Sequence, residues 1–264
     1  DNFCVPDSLY DPEKNPDGKF KAAQLVRSCR ALAETCLAYG IPLLSGKDSM
    51  YVDGHLPGAY GETHKVSALE SLQFSAVGAI ADVNRCVTLD LKVAGDFLYL
   101  IGHTGDECGA SEYYDHFGYI GVNVPRVDAA RFLPGYAALH TAIKEGLAAA
   151  AHGIYRGGLG VHLALMAMAG DLGAAVDLDA VPADPGLRAD KILFSESAGR
   201  LLAAVAPRHA AAFEKLFTGM PMARIGTVTK KPVLDFRAGA DKSLVRAPVS
   251  KLRTAWKKPF GGLI

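Results

Sequence analysis

The earliest periodic segment of the chain predicts a helix. Apolar residues over positions 22–37 recur at three- and four-residue spacing, which is the spacing of one helical face. Gly40 follows the last of them and predicts the end of the helix. Cys29 and Cys36 fall on the apolar stripe, so we expect both in the core as small apolar residues.

Three further segments lie between this helix and the middle of the chain. The apolar run 41–44 predicts a short strand, and the polar residues 45–49 predict a loop after it. Residues 52–67 are rich in Gly, His and Pro and lack periodicity, which predicts a long exposed loop. A mobile lid and a plain surface loop are equally good interpretations of that segment.

The next segments favour β-structure. Residues 72–83 and 86–92 are two β-leaning runs, and residues 97–102 form a strongly apolar strand pattern introduced by Gly95 and Asp96. We therefore expect a domain boundary near residue 94.

The remainder alternates between helical and strand patterns. Residues 127–151 predict a helix interrupted around Pro134 and Gly135, and residues 158–170 predict a buried helix that begins at a pair of glycines. Further expected elements are strand-like runs at 174–178, 192–194, 201–205 and 223–228, and helices at 208–217 and 248–257. The fold class expected is α+β (α/β mixed), with a mostly antiparallel or mixed sheet.

Composition excludes several classes of protein. The chain has 264 residues, and its 28 Lys and Arg balance 28 Asp and Glu, so it lacks the basic excess of a nucleic-acid-binding protein. Apolar runs stay far below the roughly 20 residues that a membrane span needs. Five scattered cysteines without Cys-x-x-Cys spacing argue against a disulfide framework or a zinc site and favour the cytoplasm. The first residues resemble the interior of a fold, so we expect a fragment of a longer protein.

The segment Ser45-Gly46-Lys47-Asp48-Ser49 has the most informative chemistry. A glycine lets a phosphate approach the backbone, a lysine supplies positive charge, an aspartate can ligate Mg²⁺ and a serine donates a hydrogen bond. The spacing is not that of a Walker A loop. A solvated turn is therefore a competing interpretation.

Two later segments are weaker candidates. Residues 152–159 lead into a helix N-terminus, where backbone N–H groups favour an anion, although glycines there also serve packing. Residues 194–197 look like the end of a strand, whose Glu196 and hydroxyls could orient a ligand or cap a turn. The histidines at 103, 116, 140, 162 and 209 have no metal-ligand spacing and are expected to be ordinary helix or surface residues.

Taken in order, these stretches resemble one family, the synthetase component of phosphoribosylformylglycinamidine synthase, within the aminoimidazole ribonucleotide synthetase superfamily. The resemblance is carried by Asp1-Asn2-Phe3, Asn15-Pro16, Pro42 to Met50, Gly95-Asp96, Leu98 to Gly102, Gly109 to Tyr114, Gly157-Gly158-Leu159, Phe194 to Ser197 and Ile225 to Val228. It implies a C-terminal portion with three parts. These are the end of a second synthetase-type ATP-binding domain (1–94), a synthetase-like C-terminal α+β domain (95–230), and a C-terminal strand and tail (231–264).

The resemblance also implies a reaction. Members convert formylglycinamide ribonucleotide, ATP and glutamine-derived ammonia into the amidine, ADP, phosphate and glutamate, with Mg²⁺ as cofactor. The implied partners are formylglycinamide ribonucleotide, a glutaminase subunit or domain that supplies ammonia, and the missing N-terminal half. No nucleic acid and no membrane are expected. The catalytic histidine of the family lies in the missing half, so the chain alone is expected to be inactive.

Site residues follow from the resemblance position by position. Asp1, Gly46 and Ser49 match positions at the ATP and substrate phosphates, and Lys47 joins them as a binding residue because lysine cannot ligate a metal. Asp48 is then the expected Mg²⁺ ligand.

The resemblance weakens at residues 152–159. Superfamily members usually carry an acidic metal ligand where this chain has Gly153, with Tyr155 and Arg156 following, which predicts a degenerate second half-site. Two alternatives remain open. One is a non-catalytic half kept for pseudo-dimer packing, and the other is a different ATP-dependent synthetase or kinase of the same superfamily.

Overall fold

The computed structural model describes residues 1–239 and 242–263, without the side chains of 262 and 263. The chain divides into two compact units, the first covering Asp1–Ala81 and the second beginning at Asp82. Each unit has its own sheet.

The first unit contains a small sheet covered by one helix. Strand β1 (Asn2–Cys4) lies in the middle, with β2 (Lys47–Ser49) parallel on one side and β5 (Ser71–Gln73) antiparallel on the other. Phe3 and Val5 are buried beneath the helix, together with its Leu32.

Helix α1 (Gly18–Tyr39) confirms the periodicity of the sequence. Gly40 ends the helix in the left-handed conformation, φ +64°, and its N–H donates to the carbonyls of Cys36 and Leu37, which is the usual glycine C-cap. Cys36 packs at the edge of the small core as expected, whereas the expectation for Cys29 is wrong, because that residue is exposed.

Two expectations for the first unit are corrected. Residues 41–44 form no strand, and the strand lies instead within the predicted polar loop, at Lys47–Ser49. The expected long loop over 52–67 is a hairpin of β3 (Asp53–Pro57) and β4 (Thr63–Ser67). Its strands are largely exposed, so the usual alternation of apolar and polar residues is missing from the sequence.

The second unit is built on a seven-stranded mixed sheet in the order β12-β11-β8-β10-β6-β9-β7. Within the described part of this sheet, β11 and β8 are the one parallel pair, and the other neighbouring strands are antiparallel. The strands are β6 (Phe97–Ile101), β7 (Ala150–Gly153), β8 (Gly173–Asp177), β9 (Leu201–Val205), β10 (Met222–Thr229), β11 (Val233–Arg237) and β12 (Ser243–Pro248). The α+β class and the mixed sheet expected from the sequence are confirmed.

Helices cover both faces of this sheet. They are α2 (Glu112–His116), α3 (Ala129–Lys144), α4 (Gly158–Gly170), α5 (Ala189–Phe194), α6 (Ala210–Leu216) and α7 (Val249–Lys257). Successive residues of β6 serve opposite faces, because Leu98 and Leu100 join the core beneath α4 and α5, whereas Tyr99 and Ile101 join the core beneath α3 and α6. Helix α4 is apolar apart from His162 and is largely buried, as its sequence predicted.

Two helices differ from expectation. Helix α3 runs through Pro134 without a break. Asp128 caps its start, and Ala138, Leu139 and Ala142 are buried against the sheet. Residues 192–194, expected as strand-like, belong to helix α5. Short apolar runs of this kind do not distinguish a strand from a buried helix.

The chain just before residue 94 lies with the second unit. Leu91 is buried in its core, and the Leu91 N–H donates to the Met166 carbonyl at 3.2 Å. Strands β11 and β12 and helix α7 also belong to this unit. They lie in the segment expected as a C-terminal strand and tail, and the two strands extend the sheet. Residues 240, 241 and 264 of that segment lie outside the described residues.

Every helix in the described part of the chain is too short or too polar to cross a membrane.

Candidate functional site

The predicted phosphate-binding segment forms the edge strand β2. In the parallel register, Lys47 lies beside Asn2 and Ser49 beside Cys4. The Lys47 N–H donates to the Asp1 carbonyl at 3.1 Å, and the backbone nitrogen of Asp1 donates to the Ser45 carbonyl at 3.0 Å. The structure thus brings all five predicted residues, at positions 1 and 46–49, onto two adjacent chain segments.

Gly46 lies against the side chain of Asp1. A Cβ at position 46 would overlap the Asp1 carboxylate, so the close approach depends on glycine in the observed arrangement. The carboxylate occupies space next to the Gly46 backbone, where an approaching phosphate would meet negative charge. Asp1 would have to move for Gly46 to receive a phosphate.

The faces of strand β2 separate the remaining three residues. Lys47 and Ser49 share one face, and the lysine Nζ donates to the serine Oγ at 2.9 Å. Asp48 lies beside Phe3, on the face that packs toward helix α1. The lysine and the serine can therefore contact one anion together, whereas Asp48 serves the other side of the strand.

The donor set for a metal is incomplete. Among the residues that the structure describes, no three His, Cys, Asp or Glu side chains are grouped so that they could hold a metal ion. Magnesium sites often use one or two carboxylates together with water and substrate phosphates. Asp48, which is exposed, fits one such ligand but cannot form a magnesium site by itself.

The later candidate segments meet at the start of helix α4. Oε1 of Glu196 accepts hydrogen bonds from the Gly157 N–H at 2.8 Å and from the Glu112 N–H at 2.9 Å. Arg156 makes an ion pair with the Glu112 carboxylate. Residues 152–159 and 194–197 were separate candidates in the sequence, and the fold makes them one cluster.

A histidine pair lies behind this cluster. His162 is buried, its Nδ1 lies 3.0 Å from Nε2 of His152, and its Nε2 lies 3.1 Å from the Arg156 carbonyl. Burial lowers the pKa of both imidazoles, which favours a neutral pair. With Nε2 of His162 donating to the carbonyl, its Nδ1 accepts from His152. His162 lies in helix α4, which agrees with the expectation of a helix residue, but it is buried and paired with His152.

The segment 195–197 follows helix α5 instead of ending a strand. Ser195 and Ser197 are buried; the first hydroxyl donates to the Gly105 carbonyl at 2.8 Å, and the second accepts from the Gly105 N–H at 2.9 Å. These hydroxyls are thus committed to the loop after β6. Of this segment, Glu196 alone has a side chain with access to solvent at this corner.

Arg200 is the main residue that sequence reasoning missed. Its side chain is almost fully buried and donates to the carbonyls of Ser195 and Ser197 and to the hydroxyl of Thr104. Desolvation lowers its pKa to about 10, so the guanidinium remains charged at neutral pH. The sequence signal that could have identified Arg200 was the position of a single arginine directly before the apolar strand 201–205.

The fold and these clusters agree with a known family. Residues 93–239, more than half of the chain, match the family described as AIR synthase related protein, C-terminal domain. The chain belongs to this AIR synthase related family. The matched region contains the sheet of the second unit as far as β11 and the whole cluster around Glu196.

Relatives and solved structures extend the similarity beyond that domain. The PurL subunit of phosphoribosylformylglycinamidine synthase from Deinococcus radiodurans is 35% identical over 251 residues, which cover 91% of this chain and 32% of that protein. Thermotoga maritima PurL complexed with FGAR has a TM-score of 0.65 at 18% identity, covering 95% of this chain and 38% of that one. The same protein complexed with ATP gives 0.63 and 18%, covering 95% and 36%. These structures establish a shared fold. The present chain spans about a third of the length of the curated relatives that it matches.

Proposed function

We propose that this chain is the C-terminal portion of the synthetase subunit of phosphoribosylformylglycinamidine synthase, a ligase of purine biosynthesis. The observation that carries the proposal is the 35% identity to such a subunit along 91% of the chain. That similarity extends over both compact units and so includes more than the superfamily domain at 93–239.

In the proposed reaction, the amide oxygen of formylglycinamide ribonucleotide attacks the γ-phosphorus of ATP, and ADP leaves. Ammonia then adds to the activated amide carbon and phosphate leaves, which gives the amidine. Charge develops on the phosphoryl oxygens during transfer, so catalysis depends on positioned positive charge. The exposed face of β2 offers Lys47 and Ser49 for that purpose, with Gly46 beside them.

The remaining roles depend on the intact protein. Asp48 would supply one carboxylate to a magnesium ion, whose chemistry is to neutralise phosphate charge. A glutaminase subunit or domain would supply ammonia, and the preceding half of the protein would supply the catalytic histidine. The scattered cysteines support a cytoplasmic enzyme, since none of the described ones forms a disulfide.

A structural role inside the same enzyme is the second candidate for the second unit. It is favoured by Glu196, Ser195 and Ser197, which direct their polar atoms to backbone groups of this chain. In that case the second unit contributes no ligand contacts of its own.

The experiment that tests the proposal is a reconstituted assay of the intact protein with ATP, Mg²⁺, ammonia and formylglycinamide ribonucleotide. We expect amidine formation that matches ADP release one to one. Lys47→Ala should lower kcat/KM for ATP by about 10- to 100-fold, because a charged contact to phosphate is lost.

Lys144→Ala is the matched control, since it removes an exposed lysine at the end of α3. It should leave the rate unchanged. ADP release without amidine formation would contradict the proposed substrate and favour another synthetase or kinase of the superfamily. Normal activity of Lys47→Ala would show that strand β2 does not contribute Lys47 to the ATP site.

A further inference from the structure

The start of helix α4 has the chemistry of an anion-binding position. The helix is 13 residues long, and Gly157 and Gly158 at its start both have positive φ. The Gly158 N–H donates to the Tyr155 carbonyl at 3.0 Å, which leaves the Gly157 N–H without a backbone acceptor. Unpaired N–H groups and the helix dipole attract negative charge at such an end. In this protein the negative charge comes from the chain itself, because Oε1 of Glu196 lies 2.8 Å from the Gly157 nitrogen.

The same oxygen atom joins a second helix. Oε1 of Glu196 also accepts from the Glu112 N–H at 2.9 Å, directly after the cap residue of α2. One carboxylate oxygen thereby connects α2, α4 and the segment that follows α5. Arg156, which lies directly before Gly157, makes an ion pair with the Glu112 carboxylate on the solvent side of this contact. The arginine of the segment before α4 therefore already has a partner.

The backbone that carries Glu196 is held in place on both sides. Arg200 donates to the carbonyl of Ser195 and, at 2.9 Å, to that of Ser197. The Glu196 N–H donates to the Glu107 carbonyl at 3.2 Å. These bonds hold the glutamate backbone, so little conformational freedom is lost when its carboxylate contacts the helix.

Tyr155 covers the neighbouring surface. Its hydroxyl end lies over Gly153, where any side chain would overlap it, and its ring meets His152 and His162 edge-on. The space in front of the histidine pair is therefore filled by side chains of the same chain.

We propose that Glu196 is a built-in ligand for the amino end of α4, which excludes external phosphates and carboxylates from this position and clamps α2 to α4. The inference does not depend on the reaction proposed above, because it concerns only contacts within the second unit.

Hydrogen exchange measured on the intact protein tests this directly. In Glu196→Ala the amides of Gly157 and Glu112 should exchange at least about tenfold faster, since each loses its acceptor. Added acetate or inorganic phosphate should slow exchange again in this variant, at constant ionic strength set with chloride. Glu196→Gln keeps an acceptor oxygen and should show a smaller acceleration.

Glu107→Ala is the control, because this variant also removes a carboxylate that accepts from a backbone N–H. The acceptor in this case serves the Arg126 N–H and not that of Gly157. It should leave exchange at Gly157 unchanged. The wild-type protein gives an independent test that does not depend on a variant being folded. Inorganic phosphate should not alter the rate of hydrogen exchange at the Gly157 amide. Protection of this amide by phosphate in the wild type would overturn the proposal, as would normal exchange in Glu196→Ala.

Discussion

The guanidinium of Arg200 donates a hydrogen bond to the hydroxyl oxygen of Thr104 at 3.0 Å, and both residues are buried. The bond connects the chain before β9 with the loop after β6. The other N–H groups of Arg200 donate to the carbonyls of Ser195 and Ser197, so one cation holds the segment that carries Glu196.

Arg200→Met is expected to lower the free energy of unfolding by about 3 kcal/mol, because buried carbonyls lose their donors. Chemical denaturation of the variant and the wild type measures this difference. Arg188→Met removes an arginine that is exposed and paired with Asp190, and should cost less than about 1 kcal/mol. Equal losses in the two variants would contradict the role given to Arg200.

Two glycines with the same φ allow backbone strain to be distinguished from packing. Gly158 and Gly146 both have φ +71°, but a Cβ at 158 would lie 2.7 Å from backbone atoms of Leu193, Phe194 and Ser195, whereas a Cβ at 146 meets nothing within 4 Å. Gly146→Ala should cost about 1 kcal/mol from the left-handed conformation alone. Gly158→Ala should cost about 3 kcal/mol or more, since helix α4 must move from α5. Denaturation midpoints give the comparison, and a similar cost for both would mean that the contact at 158 relaxes freely.

Elements with strong periodicity or a marked boundary were predictable from the sequence. Helix α4 has the bounds that its apolar run and flanking glycines indicate, and α1 ends at Gly40 as expected. The β3–β4 hairpin was missed because its side chains face solvent, which removes the period-two signal. Helix α5 was missed because its six residues are too few to show a helical period.

The candidate site was predictable only as separate segments. Residues 46–49 could be singled out by residue type, but their division between two faces of a strand depends on β2 pairing with β1. Glu196 and Gly157 are 39 positions apart, and their contact depends on how α5 packs against α4. Long-range contacts of this kind have no local sequence signal.

The histidine pair predicts a pH dependence of stability. Burial lowers the pKa of His152 and His162, so the folded state binds fewer protons than the unfolded chain, where histidine titrates near about 6.5. The contribution of the neutral pair is complete above that value, and stability is lost as the pH falls from about 7 toward 5. His162→Phe should cost about 1–2 kcal/mol at pH 7.5, because two hydrogen bonds disappear, and should flatten the slope below pH 7.

Thermal or chemical unfolding at several pH values measures that slope. His140→Phe is the control, since this exposed residue leaves the buried pair intact, and it should keep the wild-type slope. If the free energy of unfolding of His162→Phe depends on pH as in the wild type, the loss of stability at low pH comes from groups other than this histidine pair.

Asp96 predicts an effect of the opposite sign. The residue is buried and its Oδ2 has no hydrogen-bond partner, so desolvation raises its pKa, against the opposing charge of Arg208. A raised carboxyl pKa stabilises the folded state below the unfolded value near about 3.9, and this contribution disappears as the pH rises through the folded pKa. Asp96→Asn should therefore raise the free energy of unfolding at pH 7 by up to about 1 kcal/mol, with a smaller gain near pH 4. Unfolding at both pH values measures the difference, and a loss at pH 7 would show that the ionised carboxylate is needed.

The two faces of β2 predict which substitutions act together. Lys47 and Ser49 share a face and a 2.9 Å hydrogen bond, whereas Asp48 projects to the other side. Under the proposed function, Lys47→Ala and Ser49→Ala in the intact protein should be non-additive in kcat/KM for ATP, with a coupling energy of about 0.5–3 kcal/mol. Lys47→Ala and Asp48→Ala should add to within about 0.5 kcal/mol, because their side chains contact different groups. A coupling between Lys47 and Asp48 as large as that between Lys47 and Ser49 would mean that ATP binding reorganises this strand and brings both faces to one phosphate.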